Sequence, residues 1–147
     1  MSSMRGLLAL TLAVMSPAAA GYAAPPPAAP IVVPVDRETT VNGVQVACTV
    51  IGSDARAEPR WQAYGVRVEF SNARNEYLTG GALRLRDHAG RDLLGVSCDA
   101  PWILLRLADG AYQVEGWLPE ANAKPRSARF TTPTKTQLRV VLQFPEL

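Results

Sequence analysis

From Thr39 onward, apolar and polar residues alternate in short runs broken by Gly, Asn, Asp and Pro, the period of β-strands buried on one face. Val66, Val68 and Phe70 alternate with Arg67, Glu69 and Ser71, which marks Tyr64–Ser71 as a half-buried strand. Ala82–Asp87 repeats the device, with Leu83 and Leu85 set against Arg84 and Arg86. The turn Asp87-His88-Ala89-Gly90 then leads into Arg91–Ser97, so the two segments read as a hairpin. Trp102–Leu107 is apolar apart from Arg106 and predicts a central strand buried on both faces. Alternating runs extend from Val44–Ile51 to Leu138–Phe144, and no segment has a persuasive helical period. The pattern predicts an all-β fold, a seven-stranded antiparallel β-sandwich of the transthyretin-like or immunoglobulin-like kind.

The N-terminal end reads differently. Arg5 supplies a positive start, Gly6–Met15 forms an apolar run, and small residues follow, with cleavage expected after Ala20 or Ala23. The run is shorter than the roughly 20 apolar residues a membrane span needs, so residues 1–23 are expected to be a signal peptide, with no stable membrane span after cleavage. Residues 24–38 begin with an uncharged Pro/Ala-rich stretch, expected to be an extended spacer lying outside the core. Residues 39–147 are expected to form the single β-sandwich domain, periplasmic or secreted.

Export sets the expectation for the two cysteines. An even count in an oxidising compartment favours a bridge between Cys48 and Cys98, and the C-x-x-C spacing of a redox-active pair is missing. Lysine and arginine total 15 against 13 acidic residues, and the charges are interspersed. Without a basic stripe interleaved with aromatic residues, nucleic acid is not an expected partner.

Candidate chemistry is sparse. His88 is the single histidine and sits in a turn, too few ligands for a zinc site once both cysteines are paired. Ser53, Ser71, Ser97 and Ser127 lack a nucleophile-elbow context, and Gly80-Gly81 lacks the lysine of a phosphate loop. Asp87, Asp92, Asp99 and Asp109 lie at strand ends, where carboxylates serve turns. No catalytic residue, metal or cofactor is expected. Of the three tryptophans, Trp102 is expected in the core, whereas Trp61 and Trp117 fall where alternation points outward. With Arg60, they form the candidate binding surface.

The run Tyr77–Phe144, about half of the chain, resembles the carboxypeptidase regulatory-like domain, a transthyretin-like β-sandwich. That family pairs a strand of the form AxVxVxDxxG with an LPPGxYxLxV hairpin. The matching residues are Ala82-Leu83-Arg84-Leu85-Arg86-Asp87-His88-Ala89-Gly90 and Leu107-Ala108-Asp109-Gly110-Ala111-Tyr112-Gln113-Val114. Ala108-Asp109 stands where the family has two prolines. At the second motif, a turn at Asp109-Gly110 needs permissive backbone, and the Tyr112 hydroxyl is expected to find a backbone partner. Cys48–Gly52, Pro59-Arg60-Trp61 and Pro101-Trp102 look like the signature of stand-alone periplasmic proteins of this class. The resemblance implies a sandwich without chemistry of its own. The histidines of metallocarboxypeptidases and of transthyretin-related hydrolases are absent. The expected function is an exported, non-catalytic envelope module that interacts with a protein or serves as an accessory domain; a glycan-binding domain is the alternative, and an enzyme of unrecognised type the lesser one.

Overall fold

A computed structural model of the chain describes residues 29–50 and 58–147; the expected signal segment and the start of the expected spacer lie outside them. In chain order the elements are β1 (Ile31–Val32), β2 (Glu38–Val41), β3 (Val44–Thr49), the single helical turn α1 (Pro59–Gln62) and β4 (Val66–Asn72). There follow β5 (Gly81–Asp87), β6 (Asp92–Cys98), β7 (Trp102–Arg106), β8 (Gly110–Trp117), β9 (Arg126–Thr132) and β10 (Leu138–Phe144). One sheet has the order β1-β6-β5-β8-β9 and the other β10-β4-β7-β3-β2. They form a sandwich-like all-β fold.

Two features correct the sequence expectation. Ten strands are present among the described residues rather than seven, and both sheets are mixed rather than antiparallel. β10 runs parallel to β4, Leu138 opposite Val66 through Phe144 opposite Asn72, because the chain crosses from one sheet to the other between β9 and β10. A strand reached by crossing between sheets is not bound by the antiparallel geometry that a tight hairpin imposes.

The second parallel pair comes from the segment expected to lie outside the core. Ile31 and Val32 pair in parallel with Val96 and Ser97 of β6. Val33 is then only 1% exposed, and the chain passes to the other sheet, where Val35 bridges to Cys48 and the Asp36 N–H donates to the Cys48 carbonyl at 2.7 Å. The apolar triplet Ile31-Val32-Val33 has strand propensity that the flanking prolines mask in a composition-based reading.

The alternation read from the sequence governs the core. Val66, Val68 and Phe70 of β4, Leu83 and Leu85 of β5, Ile103 and Leu105 of β7 and Val114 of β8 meet between the sheets. Phe70 stacks on Phe144 with ring centroids 6.0 Å apart, and the inner positions beside the Phe70 ring are Gly81 and Gly116. β7 is the middle strand of its sheet and is buried on both faces except at Arg106. Cys48 on β3 and Cys98 on β6 form a disulfide that joins the two sheets, their Cα atoms 6.0 Å apart. Among the described residues no helix is long and apolar enough to cross a membrane.

Candidate functional site

The outer face of the β10-β4-β7-β3-β2 sheet is built by the other half of the alternation. Arg67 and Glu69 of β4, Trp102, Leu104 and Arg106 of β7, Ala47 of β3 and Arg139 of β10 occupy it. α1 lies across this face. Pro59, whose missing N–H costs nothing in the first turn, starts it, and Trp61 and Tyr64 pack on Ala47 and Leu104 as a second apolar cluster. The Gln137 amide fastens the turn by donating to the carbonyls of Trp61 at 2.9 Å and Tyr64 at 3.0 Å. The Trp61 carbonyl also accepts the Tyr64 N–H at 3.2 Å, so the Gln137 amide ties together the two residues of one backbone bond.

Guanidinium groups cover the rings. Arg60 lies over Trp61 at 4.0 Å, Arg67 over Trp102 at 4.2 Å and Arg106 over Tyr64 at 5.0 Å, each within the range of a cation–π contact. Tyr77 meets Trp102 edge-on at 6.2 Å. Carboxylates balance most of the charge. Glu58 pairs with Arg60, and the Tyr64 hydroxyl donates to Glu38 at 3.2 Å. Burial first, and the Glu38 carboxylate second, hold the Tyr64 hydroxyl above the ordinary tyrosine value. Glu69 is 0% exposed although it points away from the core. Arg139 donates to it at 2.7 Å, and Arg67 lies 2.8 Å away as an ion pair whose angle does not make a hydrogen bond. The bond to Glu69 raises Arg139 above the usual arginine value. Arg106 has no acidic partner among the described residues and is exposed.

The three residues singled out from the sequence as a binding surface separate. Arg60 is exposed, but Trp61 beneath it is only 3% exposed, which corrects the expectation that it points outward. Alternation does not apply there, because Pro59–Gln62 is helical and turns the indole onto the sheet. Trp117 does face outward, half-buried, but on β8 of the other sheet, with Arg84 5.9 Å from its ring. The two tryptophans therefore sit on opposite sides of the molecule. Trp102 is buried, yet on the outer face beneath Arg67 rather than between the sheets. Sequence reasoning missed Arg67, Arg106, Arg139 and Glu69. The one available signal was the Arg67-x-Glu69 pair on the polar side of β4.

A cleft of about 760 Å³ at one end is lined by Val32, Tyr77, Leu78, Leu118 and Leu147, with Asp99 and Glu120 exposed beside them. His88 is exposed in the β5–β6 turn, in a groove of about 610 Å³ with Tyr112 and Phe130. Asp87 in that turn accepts from the N–H groups of Ala89 and Arg91 and from the Arg91 side chain; the Arg91 backbone bond contributes most to holding its carboxyl below the usual range. The Tyr112 hydroxyl donates to the Ala108 carbonyl at 2.7 Å, the backbone partner expected from the sequence. Among the described residues no three His, Cys, Asp or Glu side chains gather as a metal site would require. No protein-family model matches the chain, that of the carboxypeptidase regulatory-like domain included, and no curated protein matches it.

Proposed function

We propose that the protein is an exported, non-catalytic interaction module that docks a protein partner in the cell envelope. The observation that carries this reading is the layer formed by Arg60, Arg67 and Arg106 over Trp61, Trp102 and Tyr64 on one sheet face. Arginine, tryptophan and tyrosine are the residues that most often dominate binding energy at protein interfaces. Held over a ring, a guanidinium loses little further freedom on binding, and one outside any salt bridge keeps its N–H groups for carboxylates or carbonyls. Arg106, exposed and in no salt bridge among the described residues, is the natural first contact for an acidic partner. Export is supported by the disulfide and by the N-terminal pattern.

The test is a pull-down from cross-linked envelope, with the chain expressed behind its own N-terminus and tagged at its C-terminus. One stoichiometric partner is expected in the wild type. The pair Arg60→Glu and Arg106→Glu should lose it, while Arg129→Glu, on β9 of the other sheet, should retain it. Recovery that ignores the first pair, or retention of the full chain in the cytoplasm, would overturn the proposal.

A further inference from the structure

We infer that the opposite face carries a subsite for a neutral saccharide, built around Trp117. On the outer face of the β1-β6-β5-β8-β9 sheet, Gly95 of β6 stands opposite Arg84 of β5, and Ala82, one outward position along, stands opposite Trp117 of β8. Gly95 and the half-buried indole border a hollow of about 170 Å³, walled also by Asn42, Arg84, Asp92 and Leu93. It is open to solvent and well below the ~300–1,000 Å³ of pockets that enclose drug-sized ligands, so it suits a single sugar ring of a longer chain.

Gly95 lies two residues from an irregularity in the β5–β6 ladder, where the pairing steps from Leu94 to Asp92. Gly95 lies inside a strand without a positive φ, where glycine weakens the sheet, and a Cβ added to it would meet nothing within 4 Å. A glycine inside a strand accompanies a bulge, a bend or the close approach of a ligand, and the open space above Gly95 leaves room for the last. The surrounding chemistry selects which ligand. Arg84 lies 3.7 Å from Glu115 and Arg86 2.7 Å from Asp92, so the charges cancel locally and neither an anion nor a cation is favoured. The Asn42 amide is fixed by donating to the Leu93 carbonyl at 3.0 Å. An indole face next to a guanidinium, an amide and a carboxylate matches a pyranose, which presents a C–H face for stacking and hydroxyls that both donate and accept.

The site does not depend on the arginine-covered face, so its failure would leave the protein-docking proposal standing. The test exploits the tryptophans: Trp61 and Trp102 are buried, which makes Trp117 the indole that a ligand in solution can reach. The full chain is titrated with neutral gluco-, manno-, galacto- and N-acetylglucosamine oligosaccharides while tryptophan emission is followed. A saturable change in emission is expected with at least one of them. Gly95→Val fills the hollow with a residue that strands favour and should weaken that binding at least about tenfold without lowering the unfolding midpoint. Absence of binding across the panel, binding that leaves the emission unmoved, or equal affinity in Gly95→Val would each overturn the inference.

Discussion

Glu69 is a carboxylate on the outer face of a sheet, yet none of it reaches solvent. Arg67, its side chain 20% exposed, and Arg139, 55% exposed, close over it. A buried carboxylate without cations would be costly, and the cations left behind when it is removed lose their partner. Glu69→Ala is therefore expected to cost about 2 kcal/mol, below the range for fully buried pairs because solvent screens Arg139. Urea unfolding measures it; a loss under about 0.5 kcal/mol, the level of an ordinary surface pair, would refute the network. The sequence placed Glu69 on the polar side of β4 correctly, but its burial depends on Arg139, 70 positions away, which no local pattern reports. Asp87 gives a residue-scale pH dependence. Hydrogen bonds in the folded state depress its pKa, so the stability it adds is present above the unfolded value and is lost as pH falls through the folded one. Asp87→Asn should be less stable than the wild type at neutral pH, and the two should converge as pH falls below about 4, which thermal melts across pH would reveal. A gap that stays constant into acid would contradict this.

Among the elements, β8 and β6 show how one residue type serves opposite faces. A Cβ at Gly116 would collide with Leu142 and the Phe70 ring, and one at Gly81 would lie 2.6 Å from the same ring. Both glycines make room for the stack of Phe70 on Phe144. Gly116→Ala should destabilise by about 1–2 kcal/mol, overpacking exceeding the gain from a stiffer unfolded chain. Gly95→Ala, facing open space, should instead be neutral or stabilise by about 0.5 kcal/mol. Equal effects in thermal melts would mean that the inner face yields more than the close-packed rings allow. Elements with local determinants were legible in the sequence: the β5–β6 hairpin, the central β7 and the Tyr112 hydroxyl bond all follow from neighbouring residues. α1 was not, because one turn is too short to display a period, and Trp61 was consequently turned the wrong way. Nor were β1 and the parallel pairing of β10, a strand whose bounds the alternation did give, because those partners are set by the chain crossing between sheets.

At the scale of the whole molecule, the chain changes sheet at both ends. The N-terminal segment passes from β6 to β3 within a few residues, and Cys48 and Cys98, the bridged pair, lie on those same two strands. Disulfide and strand switch thus fasten one side of the sandwich, while β9 and β10 contact each other on the other side. The bridge closes a loop of 50 residues, which in the chain-entropy model is worth about 4 kcal/mol, a large share of the ~5–15 kcal/mol that holds a domain of this size. Cys48 and Cys98 belong to the core between the sheets, to which Val66, Val68, Phe70, Leu83 and Leu85 add apolar packing of their own. The double variant Cys48→Ala, Cys98→Ala should therefore keep its β circular dichroism in water. Its urea midpoint should fall by about 2 M, given a slope of ~1–3 kcal/mol per molar for small proteins. A shift under about 0.3 M would mean that burial alone sets the stability. Loss of the β signal in water would mean that the two sheets assemble only when covalently joined, which would make disulfide formation a condition of folding rather than a later reinforcement.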